Sequence, residues 1–163
     1  MNEILILGAA IGDVLVSPAL AEMLERASSP ARIRVSTGGD ALNESTVLAR
    51  LGHSPALGTV LGADDMGQAL LRIYEQNGLS RRFIHISEQD RTGLEVIWQD
   101  RAVQSGSFSP RRAKLSWNEA ELAFNSLPDA VFLEDRQQAQ VTEQILSFCG
   151  HKQLPLFLRM SGA

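Results

Sequence analysis

Short apolar runs alternate with amphipathic helical stretches along this chain, and that alternation restricts its fold more than any other feature. Runs at Glu3–Leu7, Ala56–Leu61, Arg82–Ile86, Ala130–Leu133 and Leu154–Leu158 read as strands. Between them the period changes. Asp40–Leu51 reads as a helix that stops at Gly52. Met66, Ala69, Leu70, Ile73 and Tyr74 form one apolar stripe that ends at Asn77-Gly78. Trp117–Asn125 and Gln138–Cys149 follow, the last capped by Gly150. Asp65 with Gln68, and Ser116 with Glu119, predict capping boxes. Pro18, followed by Leu20, Met23 and Leu24, favours a short helix within Ser17–Ala27. The order predicts an α/β fold with a mostly parallel sheet flanked by helices.

Three segments do not fit that core. Arg32–Thr37 alternates polar residues with Ile33 and Val35, and Gly93–Gln99 and Ala102–Gly106 flank a hairpin candidate at Asp100-Arg101. They predict a small β lid over a ligand cleft. The chain of 163 residues then reads as one domain. Its core would cover about 1–31, 38–91 and 107–163, with lid segments at about 32–37 and 92–106. The sequence stops directly after a strand, where an α/β protein normally continues, and looks cut short.

The region from Gly38 to Gly62 carries the chemistry. It reads Gly38-Gly39-Asp40-Ala41-Leu42-Asn43-Glu44-Ser45, then six residues to Gly52 and nine more to Gly62. Paired glycines before a helix let backbone N–H groups approach a ligand closely, with the positive end of the helix dipole behind them. Asn43 lies one turn into that helix, where its amide can donate and accept. A hydroxyl-rich, uncharged ligand such as a sugar requires that mixed capacity.

In residue types and gaps this stretch resembles the N-terminal signature of the PfkB, or ribokinase-like, carbohydrate kinases. Gly8-Ala9-Ala10-Ile11-Gly12-Asp13 resembles the family's first strand and the aspartate after it, which binds sugar hydroxyls. One carboxylate can accept hydrogen bonds from two neighbouring hydroxyls; taken alone, Asp13 reads as a turn or cap residue. Gly62-Ala63-Asp64-Asp65-Met66-Gly67 resembles the family's G-x-D-x-x-G turn, read as structural, and Thr92-Gly93 the start of its lid strand. Glu134, Asp135 and Arg136 follow a strand at its carboxyl end, where one of them touches substrate or all three form a solvated charge cluster.

The resemblance covers only the family's first half. It implies a sugar-binding half of an ATP-dependent carbohydrate kinase, with Asp13, Gly38, Gly39 and Asn43 as substrate-binding residues. ATP and Mg²⁺ are implied for the complete family member, with no cofactor, metal or catalytic residue in this chain. The family's G-A-G-D segment, which supplies the anion hole and the general base, does not occur here. The one N-x-x-E match, Asn118-Glu119-Ala120-Glu121, reads as helix capping, and the closing Leu158-Arg159-Met160-Ser161 departs from the acidic or amide residue the family often has at that strand end. The chain alone is therefore expected to be inactive. The alternative is a non-catalytic module that binds a sugar or caps a partner. The family also often dimerises through its lid strands.

Other classes fall away. The net charge of -4 gives no basic footprint for nucleic acid or an anionic membrane. No apolar run approaches a bilayer span, and a lone Cys149 fits a reducing cytosol, where it packs as a small hydrophobe. Gly8-x3-Gly12 is not a dinucleotide fingerprint, and His53, His85 and His151 show no metal-ligand spacing with Cys149. Arg111-Arg112 and Lys114 read as a solvated loop.

Overall fold

The computed structural model describes residues 3–17, 32–99, 103–107, 113–134 and 137–160. Nine strands and four helices occur among them, in the order β1 (Glu3–Leu7), β2 (Ile11–Ser17), β3 (Arg32–Gly38), α1 (Asp40–Arg50), β4 (Ser54–Gly62), α2 (Asp65–Gln76), β5 (Ile84–Ser87), β6 (Gly93–Gln99), β7 (Val103–Ser107), α3 (Trp117–Phe124), β8 (Ala130–Glu134), α4 (Ala139–Lys152) and β9 (Leu156–Arg159). The fold is α/β, as the alternation predicts. Five strands form one sheet in the order β5-β4-β1-β8-β9, and every pairing in it is parallel.

The central strands β1 and β4 are apolar on both faces because helices cover both, whereas the edge strand β9 leaves Phe157 and Leu158 exposed. On β1, Leu5 and Leu7 pack with Ala120, Phe124, Ile145 and Cys149 of α3 and α4. Ile6 points the other way, with Leu42 of α1 and Leu70, Leu71 and Tyr74 of α2. Period-2 strand geometry thus divides one apolar run between two cores. Cys149 is buried, and that burial pushes its thiol pKa up, as expected of a packing residue.

A second sheet, β3-β2-β6-β7, stands on the first. Here the structure corrects the sequence reading: Ile11–Ser17, assigned there to the core, is a strand of the lid sheet. It pairs antiparallel with β3 and parallel with β6. Its alternation of Ile11, Val14, Leu15 and Val16 with a single charge at Asp13 concealed it among apolar core runs. Strands β6 and β7 pair antiparallel. The turn expected at Asp100-Arg101 and the helix expected within Ser17–Ala27 lie outside the described residues, apart from Ser17 at the end of β2.

Two helix boundaries also differ. Helix α2 is capped one residue earlier than expected, by Asp64, whose carboxylate accepts from Gly67 N at 2.8 Å. The other oxygen accepts from Thr92 N at 2.8 Å, tying the start of α2 to the start of β6. Burial raises the Asp64 pKa, but these two amide donors, the Thr92 hydroxyl and the Arg91 charge together outweigh it and hold the carboxyl below its usual range. Helix α4 runs through Gly150 to Lys152 and ends at Gln153, which adopts a left-handed φ of 53°. An interior glycine costs a helix only about 1 kcal/mol, less than the packing of Val141, Ile145 and Cys149 secures. The Ser116–Glu119 capping box is present, with Ser116 N donating to Glu119 Oε2 at 2.7 Å. No helix among the described residues is long and apolar enough to cross a membrane.

Candidate functional site

The order of the core strands fixes where a ligand would sit. From β1 the chain adds β4 and β5 on one side, then returns to add β8 and β9 on the other. The switch point lies between β1 and β8, and open α/β sheets bind ligands outside the carboxyl ends of the strands at such a point. The elements that converge there are the segment after β1, the start of α1 and the end of β8. The Ala9 amide donates to Glu134 Oε2 at 2.6 Å, bridging the ends of β1 and β8.

A hollow of about 200 Å³ opens at this place, lined by Ala9, Ile11, Asp13, Gly39, Asp40, Asn43, Glu95 and Glu134. Asp13 from β2, and Gly39 and Asn43 from the first turn of α1, therefore share one cavity. Gly38 does not line it; it lies beneath, where a side chain would overlap the Asp13 carboxylate. Gly39 has φ 88° and ψ 134°, a conformation nearly restricted to glycine, and a Cβ there would strike the Ala9 carbonyl oxygen. The two glycines thus serve different ends: one admits the carboxylate, the other brings backbone against backbone. Asn43 N donates to Gly39 O at 3.1 Å, an early bond of α1, and its side chain is exposed at the mouth.

Asp13 and Glu95 are register partners on β2 and β6 and so stand on the same face of the lid. Asp13 Oδ1 is closed to solvent and has no hydrogen-bond partner. Its pKa is raised, first by burial and then by the neighbouring Glu95 charge. Glu134 is only 5 % exposed. Of the charged trio at 134–136, it is the member that reaches the hollow, while Asp135 and Arg136 lie outside the described residues. Arg159, the register partner of Glu134 on β9, turns to α1 and pairs with Asp40 at 2.9 Å and Glu44 at 3.4 Å.

Glu95 escaped the sequence reading. Its signal was a lone acid inside the run Leu94–Val96–Ile97, which period-2 geometry places on one defined face. Which face that was depended on the pairing with β2. A larger hollow of about 400 Å³ lies at the opposite end of the sheet, with Glu3, His53, Ser54, Asn77 and Arg82 in its lining. It sits at the amino ends of the parallel strands and is less suited to ligand chemistry on topological grounds. Among the described residues no group of three or more His, Cys, Asp or Glu side chains is placed to hold a metal ion.

A lidded parallel sheet with a glycine-walled, carboxylate-lined hollow at its switch point defines a ribokinase-like architecture. The model of the pfkB family carbohydrate kinases matches residues 1–141, and the chain belongs to that family. Solved structures agree on the fold. A fructokinase from Xylella fastidiosa with bound ATP superimposes with a TM-score of 0.83 at 20% identity, covering 99% of this chain and 49% of that one. A PfkB protein from Polaromonas gives 0.83 at 15% identity, covering 100% and 56%. An uncharacterized sugar kinase from Pyrococcus horikoshii gives 0.80 at 14%, covering 99% and 54%. This chain spans about half the length of the solved structures it matches.

Proposed function

We propose that this chain forms the acceptor-sugar half of a carbohydrate kinase, holding a polyhydroxylated substrate with Asp13, the Gly39 backbone and Asn43, while Gly38 leaves room for the Asp13 carboxylate. One observation carries the reading: Asp13 of β2 and the Gly39–Asn43 start of α1, distant in sequence, line a single hollow at the switch point. Asp13 accepts from sugar hydroxyls, Asn43 donates and accepts, and Glu134 extends the acceptor set from the end of β8. The lid face bearing Asp13 and Glu95 covers the guest and excludes water. ATP and Mg²⁺ belong to this reading as reagents of the complete family member, where catalysis is positioning plus charge stabilisation. No donor-side step is assigned to this chain.

Titration of the 163-residue chain with pentoses, hexoses and nucleosides should show saturable binding of at least one of them. A coupled assay for ADP release should show no sugar-dependent turnover. Binding to none of these ligands, or ADP release that depends on sugar, would refute the corresponding half of the proposal.

Self-association through the lid belongs to the same reading. The lid face opposite Asp13 carries Val14, Val16, Ile33, Val35 and Val96, of which Ile33 and Val35 are 66% and 59% exposed. An apolar face of this kind suits a second copy of the lid. Sedimentation should show a dimer that Val35→Asp converts to monomer, and a wild-type monomer at high concentration would count against it.

A further inference from the structure

Two lid carboxylates bear on which polyol the hollow accepts, an argument that rests on the acceptor-site reading above. Asp13 and Glu95 stand side by side in the β2–β6 register, and both line the hollow. Among the described residues no Lys, Arg or His belongs to its lining. A nearby described cation, Arg159, is engaged with Asp40 and Glu44 along α1. The positive end of α1 at Gly39 supplies roughly half an elementary charge, too little to balance two neighbouring carboxylates. Asp13 Oδ1, closed to solvent and without a hydrogen-bond partner, is an acceptor that a bound donor would satisfy.

We propose that Asp13 and Glu95 make this pocket select polyols by charge, favouring one that bears a protonated amine over its hydroxyl counterpart and rejecting those that bear a phosphate. An ammonium offers three donors and a positive charge to the paired carboxylates, whereas a phosphate adds negative charge beside them. The raised pKa of Asp13, due to burial and then to Glu95, has the same cause: a carboxylate short of positive partners. Glu95 is the specificity-determining member, since Asp13, Gly39 and Asn43 can hold hydroxyls without it.

The test is calorimetric titration of the full 163-residue chain with two matched sets at fixed ionic strength. One set is glucosamine, glucose and glucose 6-phosphate; the other is 1-amino-1-deoxyfructose, fructose and fructose 6-phosphate. Within a set that binds, the amine should bind on the order of 10-fold more tightly than the neutral sugar, and the phosphate at least 10-fold more weakly. Glu95→Gln should bring the ratio of amine to neutral affinity towards one. Neutral sugar bound as tightly as the amine, phosphate bound more tightly than either, or a ratio unmoved by Glu95→Gln would each overturn the charge selection while leaving the acceptor site standing. Binding of no member of either set would overturn the charge selection, and the acceptor reading would fall with it if pentoses and nucleosides also fail to bind.

Discussion

Gly39→Ala should lower the stability of the chain by about 2–6 kcal/mol, combining about 1–3 kcal/mol of backbone strain with about 1–3 kcal/mol of overpacking. Its φ of 88° and ψ of 134° lie where residues with a Cβ are strained, and the new methyl would strike the Ala9 carbonyl oxygen. That oxygen belongs to the backbone leaving β1, so relief requires moving the main chain at the mouth of the hollow. Gly52→Ala is the control. Gly52 has φ 85°, but a Cβ there meets nothing within 4 Å, so only the conformational cost of about 1 kcal/mol applies. Urea denaturation of both variants separates the terms. If Gly39→Ala proves no less stable than Gly52→Ala, the close approach of the α1 start to Ala9 is wrong. Sugar binding, on the proposed reading, disappears with the displaced loop even where the variant remains folded.

The parallel sheet was legible because its signal is local: an apolar run needs no knowledge of its neighbours to read as a buried strand. The close approach at Gly38 and Gly39 was legible for a similar reason, since two glycines before a helix already describe a backbone that something must approach; here it is the Asp13 carboxylate at one and the Ala9 carbonyl at the other. Strand β2 was harder to read. Ile11–Ser17 is apolar enough to pass for core, and only its pairing with β3 and β6 shows that it rises into the lid. The cap of α2 illustrates the same limit at short range. Asp64 and Asp65 are both capping residues by type, and Asp64 prevails because it also accepts from Thr92, 28 residues away. Glu95 and Glu134 acquire their roles only through register and the switch point. A carboxylate's surroundings are set by tertiary neighbours, which no window of sequence contains.

Asp13→Ala should abolish most sugar binding, weakening Kd by roughly 100-fold, about 3 kcal/mol, as charge-assisted hydrogen bonds to two hydroxyls are lost. The isosteric Asp13→Asn should, by contrast, leave the unliganded chain at least as stable as wild type at neutral pH. The sign follows from linkage. Burial and then Glu95 raise the folded pKa of Asp13 above its ordinary 3.8, so the folded state holds this proton more tightly than the unfolded state does. Stability therefore declines as pH climbs from 3.8 through the raised value, and above it the full cost of a desolvated charge beside another carboxylate is present. Asparagine removes that cost and with it this share of the acid-side slope. Thermal melts of wild type and Asp13→Asn between acid and neutral pH should diverge as pH rises, with the variant above. A half-buried carboxylate whose removal helps folding and harms binding is retained for its ligand, as expected where local strain serves function. A variant that melts well below wild type at neutral pH would make Asp13 a structural residue and remove the acceptor at the centre of the proposed site.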